Sequence, residues 1–313
     1  MRKNLFYIAI AAFSAGCGGG GSSPDAQTTD TATVLDDGAQ ETAGAVLPYC
    51  TLKPALAGVA DLSGTWVARF AEAQVTSAPF VGVMHTQYIA HVLLTIAQSG
   101  SDVVADGRYC DRALVNPSKT SNLATAVIPD AWAHTETPVH RTGSFTVGLD
   151  GASIFALAEY TEIIGAVLAN PEDPLPTSID DLRIIDQDGD GKPGITIVLT
   201  GIETGSLYSV QRQVTSANAI AVAADRVEGA LAFTSEQNVL GSDPDNLAGI
   251  YAAGKTSTDP EPCNSTFVMV KIANAPAVEG SAVDGSAVDG GEPVDGGGFG
   301  CEWVRANESA LFP

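Results

Sequence analysis

The chain has 313 residues, 45% of them hydrophobic, and carries 15 lysines and arginines against 37 aspartates and glutamates, a formal net charge of -22. That supplies enough apolar material for one large β-domain or two small ones once a leader and a tether are set aside. A surface this acidic repels phosphate backbones and anionic lipid, so nucleic acid is a poor partner, and it attracts divalent cations.

The chain opens with Arg2 and Lys3, a short apolar run over residues 5–13, the small residues Ser14, Ala15 and Gly16, and then Cys17. That order reads as a secretory leader, with an apolar run too short to span a bilayer as a helix. Its ending resembles the lipobox of bacterial lipoproteins: Ala15, Gly16 and Cys17 match, while Ser14 stands where that family usually has leucine. The resemblance implies a leader of residues 1–16, cleavage before Cys17, lipidation of its thiol and amine, and a membrane reached through that lipid. Gly18 follows the cysteine in place of the aspartate that holds enteric lipoproteins at the inner membrane, so the same resemblance points to the outer membrane of a cell envelope. Residues 17–47 are rich in Gly, Ser, Thr and Asp, have no periodic apolar face, and read as a flexible tether.

The folded part is expected over residues 48–313. Residues 62–70 read as a turn entering a strand, 91–96 as a second apolar run, and 103–110 as a strand reached through the turn at 98–101. Residues 115–138 are interrupted by Pro117, Pro129 and Pro138. Residues 144–149 and 152–157 flank Asp150-Gly151, a hairpin signal. Residues 158–168 fit a strand pair or a helix equally, and 170–176 read as loop. Later strands are expected at 195–200, 207–214, 219–224, 227–233 and 267–272. Short strands with turn signals every eight to twelve residues predict a mainly β fold, an antiparallel barrel or sandwich. The tandem Ser-Ala-Val-Asp-Gly repeats within residues 275–298 are too short and polar to build a core and read as a disordered acidic loop. Trp303, Val304, Ala310 and Leu311 share a face at helical spacing, which predicts a short C-terminal helix.

Besides Cys17 there are Cys50, Cys110, Cys263 and Cys301. In an oxidising compartment four cysteines suggest two disulfides with three possible pairings. Cys50–Cys110 with Cys263–Cys301 closes the shorter loops and is the expected pair.

The clearest chemical motif is the run 186–194, Asp-Gln-Asp-Gly-Asp-Gly-Lys-Pro-Gly. Asp186, Asp188 and Asp190 alternate, Gly191 permits a sharp turn, and Lys192 offers a backbone carbonyl, which suits the six to eight oxygens of a structural calcium ion. The run matches the front half of an EF-hand loop, but Ile197 holds the twelfth position and a strand follows in place of a helix. It therefore resembles the aspartate-rich calcium loops of secreted bacterial β-proteins. Asp180 or Asp181 is a candidate to complete the shell.

Gly64-Thr65-Trp66 at the first strand resembles the lipocalins, eight-stranded barrels for apolar ligands. The resemblance implies that Trp66 closes one barrel end and that a late-strand arginine, with Arg212 the nearest candidate, packs over it. Residues 249–256 match the P-loop pattern, yet no helix is expected to follow, so nucleotide is not expected as a partner. His85, His91, His134 and His140 are conceivable as a zinc or copper site only if all four converge. No nucleophile elbow is present, and Glu159 with Glu162 is a weak carboxylate pair. The sequence thus suggests a non-catalytic lipoprotein domain that binds a small apolar ligand. The alternatives are a structural or interaction protein with a filled core, and an exported histidine-based metalloenzyme.

Overall fold

The computed structural model describes residues 49–58, 61–78, 82–116, 124–149, 151–201, 204–252, 255–272 and 299–313. The leader, Cys17, the tether, Asp150 and the acidic repeats at 275–298 lie outside the described residues. The strands are β1 (Gly64–Ala78), β2 (Gly82–Ser99), β3 (Asp102–Val115), β4 (Ala124–Val127), β5 (Pro138–Val147), β6 (Ser153–Ile164), β7 (Ile195–Gly201), β8 (Gly205–Ala223), β9 (Arg226–Asp243), β10 (Lys255–Thr258) and β11 (Thr266–Lys271). The helices are α1 (Asp130–Ala133), α2 (Asn246–Ala252) and α3 (Cys301–Leu311).

Strands β1, β2, β3, β5, β6, β8, β9 and β11 pair in chain order, each antiparallel to the next, and β11 pairs back onto β1. The result is a closed antiparallel ring of eight strands, in which no member presents an unpaired edge along its whole length. Strand β7 pairs with the start of β8 and carries β4, and β10 pairs with the end of β1 beside β11. The mainly β, antiparallel architecture with a short C-terminal helix is the one the sequence predicts.

Period-two alternation builds the interior. Trp66, Ala68 and Phe70 of β1, Tyr88 to Ile96 at alternate positions of β2, Phe155 and Leu157 of β6, and Phe267 and Met269 of β11 all join one buried cluster. Phe267 meets Phe70 edge-on at 5.1 Å and stacks on Phe155 at 5.9 Å. Ile128 and Trp132, from the segment through β4 and α1, belong to the same cluster. The strands are much longer than expected: β1 has 15 residues, β8 has 19 and β9 has 18. Polar residues at buried positions, Glu72 in β1 and Gln211, Gln213 and Thr215 in β8, interrupt the apolar alternation and made the strands look shorter.

Two bulges change which residues face inward. Val92 pairs with Tyr109 while His91 pairs with Asp111, so Cys110 is an extra residue in β3. Leu157 pairs with Ala217 while Tyr160 pairs with Thr215, which places an extra residue in β6. Beyond each bulge the inward positions switch parity, and so Arg112 and Glu162 enter the interior. The ambiguous stretch at 158–168 is thus strand as far as Ile164.

Outside the ring, α3 lies over Val67, Leu93 and Cys110, with Cys301 and Val304 buried and Trp303, Leu311 and Phe312 packed beside them. Ala310, expected on that face, is exposed, and Phe312 takes the corresponding role.

The disulfides are Cys50–Cys263 and Cys110–Cys301, with Cα separations of 5.1 and 4.7 Å. The pairing expected from short loops, Cys50–Cys110 and Cys263–Cys301, is therefore corrected. Ring closure brings β11 beside β1, so spatial neighbours here are far apart in sequence. The bulge at Cys110 aims that side chain outward, where the first residue of α3 meets it.

Candidate functional site

The acidic motif forms a tight loop ahead of β7. Gly189, Gly191 and Gly194 adopt φ of +70°, +81° and +81°, and Gly194 is closest to a neighbour: a Cβ there would lie 2.2 Å from the Ser209 carbonyl oxygen. Asp186, Asp188 and Asp190 each offer an oxygen within 4.8 Å of the others, an acidic cluster able to hold a metal ion. The loop is tied by its own amides. Asp186 accepts from the N–H groups of Asp190 and Gly191 at 3.1 and 2.9 Å, and Asp190 from that of Lys192 at 2.8 Å. Thr196 of β7 donates its N–H to Asp188 at 2.8 Å and its hydroxyl to Asp190 at 2.5 Å. One Asp188 oxygen is buried with no hydrogen-bond partner. Burial raises the pKa of Asp188, and Asp190 adds to that rise. The Lys192 ammonium turns away, 5.4 Å above the Tyr208 ring. Asp181 is engaged by Arg183 through both carboxylate oxygens, and Ile197 is buried among Leu207 and Leu247.

A second site was not legible in the sequence. Glu72, Arg112, Arg141 and Glu162 are each 1–5% exposed and lie with Tyr88, Tyr109 and Tyr160 among the interior residues. Arg112 donates to Glu162 at 3.1 Å, to the Thr135 carbonyl at 2.7 Å and to the Thr137 hydroxyl at 3.2 Å, and its guanidinium lies 4.3 Å above the Tyr109 ring. Arg141 donates to the carbonyls of Thr215 at 2.8 Å and Ala158 at 3.4 Å, the latter at the β6 bulge, and lies between the rings of Phe70 and Tyr160. Tyr88 stacks on Trp132 at 6.3 Å. Among the described residues, six buried atoms of this region have no hydrogen-bond partner in the protein: one oxygen each of Glu72 and Glu162, the Tyr88 hydroxyl, Nε of Arg112 and of Arg141, and Nε1 of Trp132. Each such atom costs about 1–3 kcal/mol if nothing meets it.

The cluster is electrostatically uneven. Burial, reinforced by Glu162 and opposed by Arg141, pushes the Glu72 carboxyl up to about 8. Burial also raises the Tyr88 and Tyr109 phenols, and it lowers the Arg141 guanidinium. For Arg112 burial acts downward, but Tyr88 and Glu162 outweigh it and the net shift is upward. At neutral pH the Glu72 carboxyl therefore keeps its proton beside the Arg141 guanidinium.

Glu72 gives a testable pH dependence. Its folded value lies above its ordinary value of 4.5. The folded protein thus holds this proton more tightly than the unfolded chain, and the associated stability, full below about pH 4.5, is lost as pH rises through 8. The slope from this group is at most about 1.4 kcal/mol per pH unit. Calorimetric melts across that range should show the decline in the native chain and a flatter profile in Glu72→Gln; equal slopes in the two proteins would contradict it.

The remaining candidates fall elsewhere. Trp66 is fully buried and donates Nε1–H to the Leu62 carbonyl at 2.7 Å. The cation over it is Lys271, 5.6 Å from the ring, not Arg212. Arg212 is on the expected strand but on the outward face, bound to Glu236 and to the Asp173 carbonyl. The P-loop-like stretch begins inside α2 and ends in β10, a helix followed by a strand, the reverse of a phosphate cradle. The four histidines do not converge. His85 and His91 are six residues apart on one strand, about 20 Å. His85 meets Asp259, His140 meets Asp106, and only His91 and His134 share a neighbour, Asp111.

Compared with protein families, curated proteins and solved structures, the chain matches none. The functional reading therefore rests on these side chains.

Proposed function

We propose that this chain is a non-catalytic binding protein of the bacterial cell envelope, lipidated at Cys17 and held off the membrane by its tether, which takes a small molecule inside the eight-stranded ring. The observation that supports this reading is the set of six buried, unpartnered polar atoms grouped around Arg112, Arg141, Glu72 and Glu162. Natural interiors rarely leave such atoms unmet, and a ligand with polar groups at one end meets them. The apolar ligand suggested by the sequence becomes an amphipathic one: a polar head at the ionic cluster and an apolar body among residues such as Phe70 and Phe155.

Native mass spectrometry of the full chain released from detergent tests this. A retained organic mass that disappears in Arg141→Met supports it. The bare lipidated mass favours the second reading, a structural or interaction protein whose interior is filled by its own side chains; the continuous packing of Phe70, Phe155, Phe267 and Met269 supports that alternative. The same spectrum reads the lipid on Cys17.

The acidic loop is proposed to bind calcium, with Asp186, Asp188 and Asp190 giving carboxylate oxygens and Lys192 its carbonyl. Hard oxygen donors on a glycine-shaped turn suit that ion and leave its role structural. Chelator is expected to lower the melting temperature, by the linkage between ion binding and folding, and Asp188→Ala to abolish the difference. Superimposable melts of the native chain with chelator and with calcium would end the proposal.

A further inference from the structure

The outer face under α3 holds a second group of metal-ligating side chains, separate from the acidic loop and from the ring interior. His91 of β2 points outward there, its side chain 2% exposed. Its ring stacks on Phe312 at 5.3 Å. Nδ1 lies 3.7 Å from an Asp111 oxygen and Nε2 lies 3.6 Å from a Glu308 oxygen. Neither nitrogen has a hydrogen-bond partner. The other Asp111 oxygen lies 3.6 Å from Nε2 of His134, at the end of α1.

These distances are informative. They exceed the usual hydrogen-bond range of about 2.7–3.2 Å. Two atoms that share a tetrahedral ion at about 2.0–2.2 Å sit roughly 3.3–3.6 Å apart, close to the separation of each nitrogen from the carboxylate it faces, and one ion takes one of the two nitrogens. A ring nitrogen of His91 and one oxygen each from Asp111 and Glu308 lie within 4.8 Å of one another. The scaffold is fixed. The β3 bulge turns Asp111 to the same face as His91, its cross-strand partner. The Cys110–Cys301 disulfide pins the start of α3, and Arg305 donates to the Cys110 carbonyl at 2.8 Å, one turn before Glu308. Two cations lie nearby: Arg305, and Arg69, which is paired across the strand with His91 and close enough to Glu308 to feel its charge. The two carboxylates balance them, in a chain of net charge -22.

We propose that His91, Asp111 and Glu308 bind a zinc-class ion, one nitrogen of His91 serving as ligand, with His134 holding the other oxygen of Asp111 as a positioning residue. Imidazole and carboxylate donors in a tetrahedral set select zinc or cobalt over calcium, whose shell is larger and made of oxygen. The ion joins β2, β3 and α3 at one point and takes one of the two unpaired nitrogens of a buried imidazole.

The test uses the full chain carrying Asp188→Ala, which removes the acidic loop as a competitor, stripped with chelator and dialysed. Co²⁺ is the probe. One equivalent should give the visible absorption of tetrahedral cobalt, bleached by Zn²⁺ and unchanged by excess Ca²⁺. His134 is half-exposed, so His134→Ala leaves the fold intact and should weaken cobalt binding at least roughly tenfold. Asp111→Asn should do the same, and His91→Gln should remove the band. Absence of the band in the parent, or a band unchanged in both His91→Gln and His134→Ala, overturns the site and leaves His91 as a buried ring between two carboxylates.

Discussion

Arg112→Met and Glu162→Leu, made singly, are each expected to destabilise the protein by about 3–5 kcal/mol, while the two combined should recover most of the loss. The pair is enclosed: the Arg112 side chain is 0% exposed and that of Glu162 is 5% exposed, with Nη2 and Oε1 3.1 Å apart. Removing one member leaves the other as an uncompensated charge among Tyr88, Leu114 and Trp132, and its desolvation is then unopposed. Replacing both with apolar groups of similar volume removes the charge and its cost together. Arg112 also closes the carbonyl of Thr135, which would lose its donor, so recovery should be incomplete. Urea unfolding of the two single variants and the double measures this as a double-mutant cycle, with a coupling of several kcal/mol expected. Singles that each cost under about 1 kcal/mol would mean that the interior is wet. If the ring binds a ligand, the stable double variant should fold and lose it.

Loss of the Cys110–Cys301 disulfide, by Cys110→Ala with Cys301→Ala, is expected to cost about 2–5 kcal/mol and to release α3 first. The two cysteines are 191 residues apart, so the bridge restricts the unfolded chain over most of its length. Helix α3 has 11 residues, below the length at which an isolated helix persists in water. It is held by Cys301 and Val304 against Val67 and Leu93, and by Arg305 on the Cys110 carbonyl. Amide exchange should therefore show residues 302–311 opening well before β1 and β2. Equal protection of the helix with and without the bridge would show that apolar packing alone carries it.

Much of the architecture was readable because it is written locally. Trp66 with its alternating neighbours, Gly151 at a turn, Asp225 in the turn between β8 and β9, and the helical spacing of Trp303, Val304 and Leu311 are each decided within a few residues. The acidic loop was readable for the same reason: its three aspartates and their glycines are contiguous. The ionic cluster was not. Glu72, Arg112, Arg141 and Glu162 come from β1, β3, β5 and β6, and each looks like a single charge spoiling an apolar alternation. The bulges add a second obstacle. Tyr109 and Arg112 are three residues apart, which in an unbroken strand puts them on opposite faces; the extra residue at Cys110 puts both inside. The disulfide pairing failed because nearness along the chain is a poor guide in a closed ring, and Arg212 failed because the strand was right and the face wrong.

Because the strands follow one another round the ring, most of the pairing can proceed as the polypeptide lengthens, each new strand docking on the last. The final seam is different. Strand β11 must meet β1, with Lys271 set opposite Trp66, after everything between them has been made. Both disulfides also join early residues to late ones, Cys50 to Cys263 and Cys110 to Cys301. A nascent chain stopped before residue 263 therefore has a sheet with two open edges and no native cross-link to make, a form exposed to aggregation. Completion of this molecule is a late and concerted event, in which the last fifty residues close the wall, seat the helix and admit oxidation together.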